Sequence, residues 1–224
     1  MKESIEKEGN IYWKDIAGDI YSGLTRGNAG IAYALLVLYK ITKNKKFLHF
    51  GIRALDGDIK RIKTVREDGL IGFNSRPLES RSKVYSPYAH NGLTGLGSVL
   101  IRYFLVTDDS AYLDITEKII SSCKCQYLLH RGYLTGICGI ISFLQDVKYT
   151  LHRDDVENFM KDMFSCLRFH YVETECSVGY FGDQGYKLSH DLLTGSAGVF
   201  LTYSRNICKQ KCNHFMILDE LFYC

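Results

Sequence analysis

Proline occurs only twice and tryptophan once, and the longest apolar run, Ile31 to Tyr39, is nine residues. A bilayer-spanning helix needs about 20 such residues, so this run excludes a helical span. Charge of one sign is also lacking. Twenty-eight Lys and Arg face 25 Asp and Glu, a net +3 with a pI near 8.3, too mild to argue for nucleic acid or an anionic membrane. The opening Met-Lys-Glu-Ser-Ile-Glu-Lys-Glu has no apolar core, so no signal peptide is expected and the cytoplasm is the expected compartment. With 46% apolar and 24% charged residues, the rest is an ordinary soluble mixture, long enough for one domain or two small ones.

Cysteine is the exception, with eight. Without an export signal they are expected to be reduced, several of them packing as small hydrophobes. "CKQKCNH" sets Cys208, Cys212 and His214 at a spacing unlike the usual zinc ribbon, and Cys123-x-Cys125 would need a partner elsewhere. These thiols are expected to pack or stay free.

Glycine carries the pattern. G-x-x-G followed by an aliphatic residue occurs four times, at Gly27–Ile31, Gly92–Leu96, Gly136–Ile140 and Gly195–Val199. One copy would suggest a phosphate-cradling loop at a helix N-terminus. Four copies suggest architecture. Each opens an apolar segment with no polar face, which predicts a helix buried nearly all round. The glycines would let the preceding loop take positive φ and let backbones approach closely. Amphipathic segments follow, with Leu48, Ile52 and Leu55 on one face of the first and Tyr112, Ile115 and Ile119 on the second, capped by Asp108 or Asp109. Such inner and outer helices predict an all-α fold, with loops gathered at one end where function should lie. Strands are scarcely signalled, although "YVETECSVGYFG" suits a short hairpin.

"GLTRGNAGIAYALL", "SPYAHNGLTGLGSVLIRYF", "RGYLTGICGIISFL" and "SHDLLTGSAGVFLTY" resemble the lanthionine synthetase C-like family, most closely the cyclase domains of class III lanthipeptide synthetases. The resemblance implies an α/α toroid. It also implies addition of cysteine thiols to dehydroalanine or dehydrobutyrine in a precursor peptide, giving lanthionine or labionin. About four of the family's seven modules are matched, starting near residues 23, 88, 132 and 190. Residues 1–224 are therefore expected to be a partial cyclase domain lacking its N-terminal modules. Its expected partners are the precursor peptide and either kinase and lyase domains or the missing part of the toroid.

Zinc-dependent members bind the metal through one cysteine before a G-x-x-G and a Cys-His pair before the next. The corresponding positions here are His90, Leu134 and Thr135, so the resemblance implies no zinc and no other cofactor. Arg26 replaces a histidine common in the family. It could stabilise an enolate-like anion or bind an acidic peptide, or simply be a solvated loop residue. By position, Arg26, Tyr88, His90, Asn91, Thr135, His190, Asp191 and Thr194 face the loop end. Arg26, Tyr88, His90, His190 and Asp191 are the catalytic candidates. His90 could be a general base toward a thiol, or both histidines could merely bond loop backbone.

Two further readings remain open. One is a truncated, non-catalytic scaffold that binds a peptide or partner. The other is a carbohydrate-active toroid, for which Asp191 is the one acid near the glycine loops and two are needed.

Overall fold

In the computed structural model, residues 4–74, 76–81, 84–124, 130–182 and 185–223 are described. Cys125 and Cys224 lie outside them. The chain divides into two compact units, the first ending at Cys123 and the second running Lys124–Tyr223.

Unit 1 starts with an antiparallel hairpin, β1 (Ser4–Lys7) and β2 (Asn10–Trp13), in register from Ser4↔Trp13 to Lys7↔Asn10. Glu8 and Gly9 turn it with φ of 53° and 79°, the paired positive values that match strand twist in a two-residue turn. Helices α1 (Asn28–Thr42) and α2 (Lys45–Ile59) pack on each other, and β2 lies against α2. Short strands β3 (Ile62–Thr64) and β4 (Ile71–Phe73) precede α3 (Leu93–Thr107) and α4 (Ala111–Ser122). Helix α3 packs on α1 and α4, and is buried without interruption from Leu93 to Tyr103.

The second helix of each pair is half-exposed, as its composition dictates. Leu55, Tyr112 and Ile119 are buried, while Leu48, Ile52 and Ile115 are partly covered. The N-cap of α4 is Ser110, neither expected aspartate, although Asp109 just before it accepts the Ala111 N–H at 3.0 Å. Asp108 instead ends α3 in a left-handed conformation.

Unit 2 comprises α5 (Ile137–Leu151), α6 (Glu157–Arg168), a sheet of β5 (Tyr171–Glu173), β6 (Val178–Phe181) and β7 (Leu188–Ser189), and α7 (Ser196–Cys208). Helix α5 packs on α6 and α7 and is buried from Ile137 to Val147. The expected β-hairpin is β5–β6. No long outer helix follows α7 among the described residues. The chain ends in a 3-10 turn, Asp219–Phe222, within the segment "HFMILDELF".

The glycine repeat is a repeated junction. Gly27, Gly92, Gly136 and Gly195 are each the N-cap of a helix, with extended backbone at φ between −111° and −141°. Any residue could adopt that conformation, so positive φ is not why they are glycine. Space is the reason. A Cβ on Gly92 would overlap the Ser86 carbonyl, and one on Gly195 the Ser189 carbonyl. The second glycines repeat the theme. A Cβ on Gly30, Gly95 or Gly198 would overlap the carbonyl oxygen six residues earlier, on Leu24, Ala89 or Leu192.

The loop folds back tightly enough to cap its own helix. Leu93 N donates to Ser86 O at 3.0 Å and Thr94 N to Pro87 O at 3.2 Å; Ile137 N donates to His130 O at 3.0 Å and Cys138 N to Arg131 O at 3.3 Å. In α1 the Gly30 N–H reaches Gly23 O at 3.2 Å. These are the donors an anion would need at a helix start, and the loop consumes them. The phosphate-loop reading fails on that account.

Helices α1, α3, α5 and α7 also end alike, on left-handed Lys43, Asp108, His152 and Lys209 with φ of 50° to 58°. Glycine is the usual residue for such a cap. None of the four is glycine, so the pattern gave no sign of it.

The C-terminal segment of unit 2 is pinned by buried polar groups. Arg205 pairs with Asp146 at 2.6 Å, both essentially inaccessible. It also donates to the carbonyls of Ser142, Gln210 and Lys211. Asn213 accepts from the Tyr133 hydroxyl at 2.9 Å, and its backbone N–H donates to Asp219 at 2.6 Å. Burial without partners would be costly; here the polar atoms find one another.

Candidate functional site

In unit 1 the first two glycine loops touch. Gly23, with φ of 97°, passes so near the second loop that a Cβ would sit 2.6 Å from the Asn91 Cα. The Leu24 and Thr25 N–H groups both donate to the His90 carbonyl, at 3.1 and 3.2 Å. This backbone stitch brings Thr25, Arg26, His90 and Asn91 together, with Tyr88 half-buried two residues upstream. The Thr25 hydroxyl hydrogen-bonds His90 Nδ1.

His90 is half-buried. Burial and then the Arg26 charge hold its pKa below the ordinary imidazole value, so the ring is neutral at neutral pH. Arg26 is committed as well as exposed. Its Nη2 pairs with Asp15 at 3.0 Å and its guanidinium lies 4.1 Å above the Tyr21 ring. Asp15 is in turn fixed by the N–H groups of Ala17 and Asp19.

Behind the mouth sits Asp58 of α2, fully buried. Its Oδ2 accepts the Gly23 N–H at 2.9 Å and the Ala29 N–H at 2.8 Å, fastening both ends of the first glycine loop. Burial pushes its pKa up to about 6, opposed by those hydrogen bonds and by Arg61. Arg61 ties Ser22 to the Arg76 carbonyl, the latter at 2.6 Å. Sequence reading passed over Asp58, Asp15 and the Thr25 contact. Asp58 had a signal: an acid on the same helix face as Gly51, Ala54 and Leu55, where every neighbour is buried.

Unit 2 repeats the stitch between its two loops. Leu134 N donates to Leu193 O at 3.0 Å, and a Cβ on Gly132 would lie 2.6 Å from the Thr194 Cα. Here Asp191 serves the loop. It accepts the Leu193 and Thr194 N–H groups at 2.8 and 2.7 Å, the Thr194 hydroxyl at 2.8 Å and the Ser189 hydroxyl. The Ser189 bond, then those from Thr194, hold its pKa down to about 2. His190 beside it is exposed, and its side chain bonds no described residue. Thr135 is partly covered and Leu134 buried.

His90, Leu134 and Thr135 do not make a zinc donor set: one imidazole, one hydrocarbon and one neutral hydroxyl. Among the described residues, no group of three or more His, Cys, Asp or Glu is placed to hold a metal. Cys138 is buried, with its thiol pushed up to about 12, and Cys123 is buried too; Cys166, Cys176 and Cys208 are exposed. His214 bonds Gln210 at 2.9 Å. No described helix is long and apolar enough to cross a membrane.

No protein-family model matches the chain. It is 25% identical over 184 residues to a protein described as "Probable SapB synthase" of Streptomyces coelicolor, matching 82% of this chain and 19% of that one. Its fold is similar to that of "Nisin cyclase", with a TM-score of 0.66 at 16% identity, covering 92% of this chain and 50% of the other. The chain thus spans about a fifth of the one protein and half of the other. The first is a relative in sequence, and the second shows a shared fold.

Proposed function

We propose that the chain carries a peptide-cyclase site at the unit 1 mouth, adding a cysteine thiol to a dehydroalanine or dehydrobutyrine of a precursor peptide. The observation that carries this reading is the pairing of a neutral, half-buried His90 with Arg26 on two stitched loops, in a chain similar to a named synthase and a named cyclase. In the reaction the S–H proton leaves and sulfur bonds to Cβ. The π pair moves to the carbonyl oxygen, and the enolate collapses as Cα takes a proton. The atoms balance as addition of S–H across C=C, with no further reactant.

Arg26 supplies positive charge toward the enolate. Tyr88 and His90 line the approach, and His90 handles a proton or hydrogen bond at the reacting atoms. In unit 2, Asp191 holds the loop that carries the exposed His190, which would contact peptide bound at that unit's own paired loops. The chemistry runs without zinc, as in class III cyclases, and the dehydro residues come from kinase and lyase chemistry elsewhere.

A second reading has its own support. Arg26 is paired with Asp15 and Asp191 is saturated by hydrogen bonds, as in a scaffold that binds peptide without reacting. The test is free-thiol loss from a peptide holding one dehydroalanine and one cysteine, incubated with the chain in excess chelator. Loss well above the spontaneous rate, at unchanged peptide mass, is expected. Loss at the spontaneous rate contradicts the cyclase, and peptide binding under the same conditions then favours the scaffold.

A further inference from the structure

The Thr25 hydroxyl has three acceptors within reach: His90 Nδ1, the His90 carbonyl at 3.3 Å and Asn91 Oδ1 at 3.4 Å. It has one proton to give. The carbonyl already accepts two N–H groups, from Leu24 and Thr25, which occupy both its lone pairs. Asn91 Oδ1 stands at the outer limit of a hydrogen bond. Nδ1 has no other hydrogen-bond partner among the described residues.

We infer that Thr25 donates to His90 Nδ1 and so fixes the ring proton on Nε2, making His90 a hydrogen-bond donor to the enolate oxygen rather than a base toward the thiol. The inference rests on the cyclase reading for its substrate, but the proton's position rests on the acceptors around Thr25 and needs no substrate. A neutral imidazole carries one N–H. With Nδ1 occupied as acceptor, that N–H is at Nε2. Burial and the neighbouring Arg26 disfavour the doubly protonated form, and neutral histidine is a recognised electrophile toward carbonyl groups. Thr25 is then a positioning residue acting through His90, and the thiol gives up its proton to solvent. A base role for His90 would need the opposite tautomer, with Nδ1–H pointing at Thr25 and the hydroxyl turned to the distant Asn91.

Two measurements decide it. Long-range ¹⁵N–¹H correlation spectra of the full chain near pH 7.5 should show His90 protonated at Nε2 and bare at Nδ1. A proton on Nδ1 overturns the inference. This readout needs no substrate, so it holds even if the chain proves inactive and the cyclase reading falls. In the thiol assay, His90→Gln keeps an N–H donor near Nε2 but cannot act as a base. It should stay within about tenfold of wild type, while His90→Ala loses about 10²-fold. Equal loss in both variants would return His90 to the base role. Thr25→Ser should behave as wild type and Thr25→Val should fall toward His90→Ala.

Discussion

Replacing Arg205 with Met is expected to cost unit 2 about 3–5 kcal/mol, the cost of removing one member of a buried ion pair. Asp146 is fully buried beside it, and the substitution leaves that carboxylate without its cation. The carbonyls of Ser142, Gln210 and Lys211 lose a donor at the same time, and with it the tether on the segment after α7. Hydrogen exchange followed by mass spectrometry on peptides from α5 and α7 reads the effect directly. Protection in both helices should collapse while α1 and α3 stay protected. The double variant Arg205→Met, Asp146→Leu should recover part of the loss, because the stranded charge is gone. Unchanged protection in α5 would show that the pair contributes little.

Asp58 gives the second large effect, with an unusual sign. Its carboxyl has a pKa of about 6 in the folded chain, above the unfolded value near 4. The folded state therefore binds this proton more tightly. The penalty for burying the charge is fully present above pH 6 and is relieved as pH falls from 6 toward 4. Unit 1 should gain about 3 kcal/mol from this group over that window. Trp13, the single tryptophan, sits on β2 against α2 and reports unit 1 by fluorescence during denaturant unfolding. The midpoint should rise on mild acidification, and Asp58→Asn should flatten the dependence. Unit 2 should trend oppositely at lower pH. Asp191 is held down to about 2, so its contribution is present above about pH 4 and is lost as pH falls toward 2.

The helical skeleton was readable because two patterns reinforced each other. Apolar runs such as "LGSVLIRYFLV" have no polar face, and α3 and α5 proved buried for eleven successive residues each. The glycine pairs marked the helix starts, although close packing of carbonyls, not positive φ, explains them. The strands were mostly invisible. At two to four residues, β1 to β4 and β7 are too short for alternation to rise above loop composition. The left-handed helix ends at Lys43, Asp108, His152 and Lys209 were equally silent.

At the site, sequence adjacency to the glycines picked out Arg26, Tyr88 and His90, which share the unit 1 mouth. Adjacency could not foresee partners. Thr25 meets His90 only because the first loop donates two backbone N–H groups to a carbonyl 65 residues away, and Asp15 meets Arg26 through a side-chain ion pair across 11 residues. Asp191 looked chemically poised in sequence. In the fold its oxygens are spent on four donors from its own loop.

The proposed peptide site is the paired loops of unit 1. Its most direct test is amide chemical-shift mapping of the full chain, titrated with a peptide that carries dehydroalanine and a cysteine blocked as its S-methyl ether. Saturable shifts centred on Thr25, Arg26, Tyr88 and His90 are expected. Shifts confined to residues away from the glycine loops, or none at millimolar peptide, would contradict it.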